Sequence, residues 1–205
     1  VIAVRVDNSQ QINCRWYSGS GIYRHVWLQV KEPVHVAQWG VTITTPEVNE
    51  NMATVQVKTK IVNETNQQQE LVLQTKLSSK KQKIAGSGNT KLLVEPNSEK
   101  EIVQNIQVQQ PELWSPDSPV IYQATTSLVQ KTKTLDHSEQ NFGIRTINYS
   151  AEKGFLLNGK SIKLNGGCVH HDHGCLGAVS YDRAEERKVE LLPVGHGREL
   201  QDIHG

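Results

Sequence analysis

Charge of one sign, long apolar runs and cysteine are all scarce in this 205-residue chain. Its 22 Lys and Arg against 21 Asp and Glu leave a formal net charge of +1, too little for a broad field that would hold nucleic acid or an anionic membrane. Nucleic-acid and membrane partners are therefore disfavoured. No apolar run approaches the roughly 18 residues that a spanning helix needs. Three cysteines, Cys14, Cys168 and Cys175, are too few and too scattered for a disulfide framework, and they leave the redox compartment and the localisation open. The opening residues Val1 to Asp7 alternate apolar and polar like a strand, with neither the basic start nor the continuous apolar core of a signal peptide. A hydrophobic fraction of 36% with 15 Gly is slightly low for a globular chain but well above a disordered one.

What is present is period two, which sends alternate side chains to opposite faces of a sheet. Val41, Ile43 and Thr45 alternate with threonines; Ala53, Val55, Val57, Thr59 and Ile61 alternate with polar residues; Leu71, Leu73, Thr75 and Leu77 repeat the pattern. The stretch Gly86-Ser87-Gly88-Asn89 reads as a turn before a short strand Leu92 to Val94, and Pro96-Asn97-Ser98 reads as another. Ile102, Ile106 and Val108 mark the next strand, and Val120 to Leu128 the one after. Six or seven short strands with no helix-length apolar period describe a two-sheet antiparallel sandwich from about Pro33 to Gln140. The fold class is all-β, immunoglobulin-like in architecture, without the Cys and Trp spacing of antibody domains.

The flanks hold too little to bury a core alone. Residues 1–32 contain at most two strands. Beyond Phe142, Gly154 to Leu157 and Ile162 to Leu164 read as strands joined at Asn158-Gly159, a dipeptide suited to a type I′ turn. A helix is expected from Arg183 to about Leu192, opening at Asp182 with Glu185 three residues on in a capping-box spacing and stopping at Pro193.

The densest reactive cluster is Cys168, His170, His171, Asp172, His173 and Cys175. These are zinc-ligand types, yet on a strand Cys168, His170 and Asp172 face one way and His171 and His173 the other, which disfavours collecting four around one ion. No feature orients a base towards either thiol. Histidines satisfied by ordinary hydrogen bonds and the floor of a polar-ligand pocket both remain open, the latter favoured by close-approach glycines at Gly166, Gly167 and Gly174. The helix acids Glu185, Glu186 and Glu190 read as a solvated face, Glu185 pairing with Lys188 and Glu186 repelling Glu190.

Four segments carry a resemblance. Arg15-Trp16-Tyr17-Ser18-Gly19-Ser20-Gly21-Ile22-Tyr23-Arg24-His25-Val26-Trp27-Leu28 resembles the segment that closes the N-terminal sugar-binding jelly roll of glycoside hydrolase family 2, the family of β-galactosidases, β-glucuronidases and β-mannosidases. Leu113-Trp114-Ser115-Pro116, followed by Pro119 and Tyr122, is similar to the family's sandwich motif, and Phe142-Gly143-Ile144-Arg145 to its exit. Gly154 to Lys160 and Asn165 to Asp172 resemble the entry into its catalytic (β/α)8 barrel. The order and spacing fit over residues 1–192.

The resemblance implies a jelly-roll remnant at 1–32, the sandwich at 33–141 and a truncated barrel start at 142–205. It implies a β-linked oligosaccharide as partner, no cofactor and no metal, with His170, His171 and Asp172 as sugar contacts at the C-terminal face of the barrel, where such folds place their sites. The His-His-Asp wording is most similar to β-galactosidase-like members. The family's acid/base Glu and nucleophile Glu lie downstream of the matching region, so the chain by itself is expected to be inactive, and unpaired edges at the barrel entry are expected to drive self-association. Residues 193–205 depart from the family pattern and read as a shifted reading frame or artefact, poorly ordered. A stand-alone sandwich that binds carbohydrate or protein is the alternative.

Overall fold

The computed structural model describes residues 2–10, 21–22, 24–164, 166, 173–177 and 179–191. The tail 193–205 and the expected sugar contacts His170, His171 and Asp172 lie outside the described residues. The chain divides into two compact units, one spanning residues 30–164 and the other taking in the described parts of 2–29 and 166–191.

The larger unit is the expected sandwich. Strands β1 (Val34–Val48), β2 (Met52–Asn63) and β5 (Ser98–Gln109) form one sheet in the order β1-β2-β5. Strands β3 (Gln69–Ser79), β4 (Gly86–Val94), β6 (Tyr122–Gln130) and β7 (Lys133–Phe142) form the other in the order β4-β3-β6-β7. Every pairing is antiparallel. The alternation seen in the sequence is the inward face: Ala53, Val55, Val57, Thr59 and Ile61 of β2 are buried, as are Leu71, Leu73, Thr75 and Leu77 of β3. Burial of each large aliphatic side chain contributes about 1.5–3 kcal/mol.

The interior is not continuous. One apolar cluster gathers Val36, Val55, Val57, Leu77, Ile106, Val108, Tyr122 and Ile144, the other Val34, Ile61, Leu71, Leu73, Leu92, Val94 and Leu128. Between them lies a polar seam. Thr75 Oγ1 donates to Gln104 Oε1 at 2.6 Å, and Gln104 Nε2 donates to Thr90 Oγ1 at 3.0 Å and to the Leu73 carbonyl at 3.2 Å. Thr126 Oγ1 is 3.4 Å from Thr75 Oγ1. Buried Thr59 Oγ1 finds no hydrogen-bond partner among the described residues. At one end of the sandwich, buried Asn63 donates to the carbonyls of Gln67 (2.8 Å) and Glu95 (2.9 Å) and accepts from the Thr65 backbone (3.0 Å), which ties two turns together.

Several sequence expectations change. Gly86 to Asn89 is not a turn but the first half of β4. A Cβ on Gly86 would lie 2.7 Å from Ile106 Cγ2 and 2.8 Å from the Gln107 carbonyl, so this glycine permits close approach of β4 to β5. Strand β7 carries no clear apolar alternation, only Leu135 and Phe142 packing inward, and is fixed by pairing with β6. Among residues 2–8 no strand forms, and Ile2, Val4 and Val6 are exposed; an alternating pattern needs a neighbouring strand to become one.

A small three-stranded sheet follows the sandwich, in the order β10-β9-β8, from β8 (Ile147–Ser150), β9 (Gly154–Leu157) and β10 (Lys160–Ser161). Asn158 and Gly159 have φ of 50° and 75°, as a type I′ turn requires, while Ile162 to Leu164 lie outside any strand. In the smaller unit, helix α1 spans Asp182–Leu191. The Tyr181 carbonyl accepts from the N–H groups of Ala184 and Glu185, and the Asp182 and Glu185 carboxylates are engaged with histidines rather than in the expected box.

Candidate functional site

Three of the four motif segments meet at one place in the larger unit. Ser115 and Ser118 exchange backbone hydrogen bonds of 3.0 and 3.1 Å across the Pro116-Asp117 turn, which presents Trp114 to the segment after β7. There the Trp114 N–H donates to the Ile144 carbonyl at 2.8 Å. A Cβ on Gly143 would lie 2.9 Å from Trp114 Cβ, so only glycine lets the two segments touch. The Arg145 guanidinium sits 5.0 Å from the Trp114 ring centroid, a cation–π arrangement. The Arg145 carbonyl accepts from Thr45 Oγ1 of β1 at 3.0 Å.

Asn158 closes the junction from the hairpin side. Its Nδ2 donates to the Trp114 carbonyl and its Oδ1 accepts from the Thr146 N–H, both at 3.0 Å. Its own N–H donates to the Thr146 carbonyl at 3.0 Å. The Asn-Gly turn therefore does more than reverse the chain: its side chain fastens the small sheet to the sandwich. Tyr122, at the start of β6, accepts from the Glu112 N–H at 2.9 Å, which resembles the tyrosine corner of immunoglobulin-like sandwiches. Burial pushes the Tyr122 phenol above its usual pKa.

The second arrangement is in the smaller unit, beside the expected sugar contacts in sequence. His173, whose side chain is 12% exposed, pairs with Gly177 through backbone bonds of 2.8 and 2.9 Å. Its Nε2 donates to Glu185 Oε1 of α1 at 2.9 Å, and Ser180 Oγ donates to the same oxygen at 3.1 Å. Lys188 Nζ lies 3.4 Å from Glu185 Oε2, the expected pair. Burial raises the Glu185 pKa, but the hydrogen bonds from His173, Ser180 and Lys188 outweigh it and hold the carboxyl below its ordinary value. On the same helix turn, His25 Nε2 donates to Asp182 Oδ1 at 2.8 Å. Arg183 bridges Glu186 (3.1 Å) and Glu190 (2.8 Å), which relieves the repulsion expected between those two.

The sequence cluster thus divides. His173 is a structural pin, a role that strand alternation did not single out, because its partner is twelve residues away on a helix. Cys175 is exposed in the adjoining turn. Among the described residues no three His, Cys, Asp or Glu side chains gather as metal ligands, and no helix is long and apolar enough to cross a membrane.

A seven-stranded antiparallel sandwich with a tyrosine corner, followed by a fastened hairpin, defines an immunoglobulin-like domain. Residues 34–145 match the sequence model of Glycosyl hydrolases family 2, and the chain belongs to that family. It is similar to Beta-galactosidase BoGH2A of Bacteroides ovatus, 40% identical over 192 residues that make up 94% of this chain and 23% of that protein. A putative beta-glucuronidase of Formosa agariphila is 34% identical over 87% of this chain and 16% of its own length. The crystal structure of a glycosyl hydrolase family 2 member from Bacteroides cellulosilyticus superposes with a TM-score of 0.83 at 42% identity, covering 90% of this chain and 25% of that one. A beta-glycosidase from Bacteroides vulgatus superposes at 0.76 and 33% identity, over 91% of this chain and 23% of that one. The chain therefore spans about a quarter or less of the length of these relatives.

Proposed function

We propose that the chain is part of a β-galactosidase-like glycoside hydrolase that removes terminal β-linked sugars from oligosaccharides. In this reading residues 1–32 end a sugar-binding jelly roll, residues 33–141 form a spacer sandwich, and residues 142–205 begin the catalytic barrel. The observation that carries it is the junction of Trp114, Gly143, Arg145 and Asn158, where the motif segments shared with the family interlock. Such a junction suits a domain whose task is to hold a sugar-binding domain against a barrel, since catalysis needs a pocket fixed to within a fraction of an ångström.

His170, His171 and Asp172 contact the sugar, their donors and acceptors matching its hydroxyls. The His173–Glu185 bond, which fixes the residue next to Asp172 onto α1, supports that role. Retaining hydrolysis needs two carboxylates flanking the glycosidic bond, and the paired glutamates belong to the part of the family's barrel that lies beyond the matched region. The 205-residue chain is then inactive alone and self-associates, a reading supported by exposed Ile22, Val26, Trp27 and Leu28.

The test is an assay with p-nitrophenyl β-galactoside and β-glucuronide. The chain alone should release no nitrophenol, whereas a protein extended to the length of its relatives should hydrolyse the galactoside faster. In that longer protein His170→Ala and Asp172→Asn should raise KM. Turnover by the 205-residue chain itself, or unchanged KM in both variants, would overturn the assignment.

A further inference from the structure

Strand β1 makes an excursion away from β2 just after Val36, whose N–H donates to Asp136 Oδ2 of β7 at 2.9 Å. Val36 pairs with Ile61 and Val41 with Thr59, so the four residues Ala37 to Gly40 face Lys60 alone. Gly40 makes this bulge possible: a Cβ there would lie 2.7 Å from the Ala37 carbonyl oxygen and 3.0 Å from that of Lys60. At position 39 the backbone has φ 55°, a left-handed conformation that a bulky residue adopts only at a cost. The residue held there is Trp39, 90% exposed. A bulge re-aims a side chain, and here it turns an indole to solvent on an edge strand.

The sheet beside it is mostly polar, Val103 being its one exposed large aliphatic among the described residues. Outward positions of β1, β2 and β5 carry Thr42, Gln56, Lys58 and Asn105, with Gln56 Nε2 donating to Asn105 Oδ1 at 3.1 Å and Lys60 ion-paired to Glu99. A protein partner needs about 800 Å² per side with an apolar centre, which one indole and one exposed valine, Val103, among amides, hydroxyls and charges do not supply. The bulge also interrupts the edge to which a strand could add. A pyranose needs what is present: an aromatic face for its C–H surface and hydrogen-bonding groups for its hydroxyls.

We propose that Trp39 and the outward face of the β1-β2-β5 sheet form a binding site for a neutral β-linked polysaccharide, a site formed by the sandwich itself. The proposal rests on the reading that the chain serves a carbohydrate-active protein, but not on the roles of His170 to Asp172. The test is affinity electrophoresis of the 205-residue chain in native gels cast with soluble β-glucan, β-galactan or β-mannan. At least one polymer should retard the chain. Trp39→Ala should abolish the retardation without changing the circular dichroism spectrum, and Trp27→Ala, at an exposed tryptophan of the other unit, should retain it. Equal mobility in all three polymers, or retardation that survives Trp39→Ala, overturns the site. Retardation lost in His170→Ala but kept in Trp39→Ala overturns it while supporting the pocket at 170–172. A concentration-dependent dimer in sedimentation equilibrium that Trp39→Ala dissolves overturns it in favour of a protein interface.

Discussion

Replacing Gln104 by methionine keeps the volume of a core side chain and deletes its polarity, which makes it a direct test of the seam across the sandwich. Three hydrogen bonds disappear: the one accepted from Thr75 Oγ1 (2.6 Å) and those donated to Thr90 Oγ1 (3.0 Å) and the Leu73 carbonyl (3.2 Å). At about 0.5–1.5 kcal/mol net for each bond, and with apolar burial of the methionine returning part of the loss, the variant should be less stable by about 2–3 kcal/mol. For a domain of this size that lowers Tm by roughly 6–10 °C, read by circular dichroism at the strand band. Adding Thr75→Val removes the stranded hydroxyl together with its acceptor, so the double variant should recover about 1 kcal/mol in a double-mutant cycle. The same reasoning gives the opposite sign one strand away. Thr59→Val removes a buried hydroxyl that lacks a partner among the described residues and should raise stability by about 1 kcal/mol. A Gln104→Met protein as stable as the parent, or a cycle with no coupling, would refute the view that these bonds hold the two clusters together.

Gly86→Ala should destabilise by about 1–3 kcal/mol, because its Cβ meets Ile106 and the Gln107 backbone and the sheets cannot separate locally; urea unfolding measures it. Glu185 has a folded-state pKa below its ordinary value of 4.5. Its contribution is present above that value and lost as pH falls through the depressed one, so hydrogen exchange of α1 amides should accelerate on acidification below the ordinary carboxylate range beyond the intrinsic pH effect. His173→Ala should move that onset to higher pH, since it deletes a bond that favours the carboxylate.

Strand existence was legible along most of the sandwich because period two records which face is buried. In β2 and β3 alternate positions such as Val55, Val57, Leu71 and Leu73 are the ones that reach the core. The turn at Pro96-Asn97 and the hairpin at Asn158-Gly159 were legible for a local reason too: Asn and Gly accept positive φ. The motif residues Trp114, Gly143, Arg145 and Asn158 were visible as segments, but nothing in their spacing showed that they touch.

What the sequence alone determined is therefore the all-β class, most strands of the sandwich and the family. These depend on local alternation, on turn residues and on motif order. The tertiary structure decided what depends on contacts between distant residues. It placed Gly86 inside a strand because β5 lies against it, and buried Gln104 because threonines of the facing sheet supply its partners. It likewise pinned His173 to a helix twelve residues on and turned Trp39 outward on a bulge. A glycine that permits a turn and a glycine that permits close packing are the same letter, and only the approach of another backbone distinguishes them.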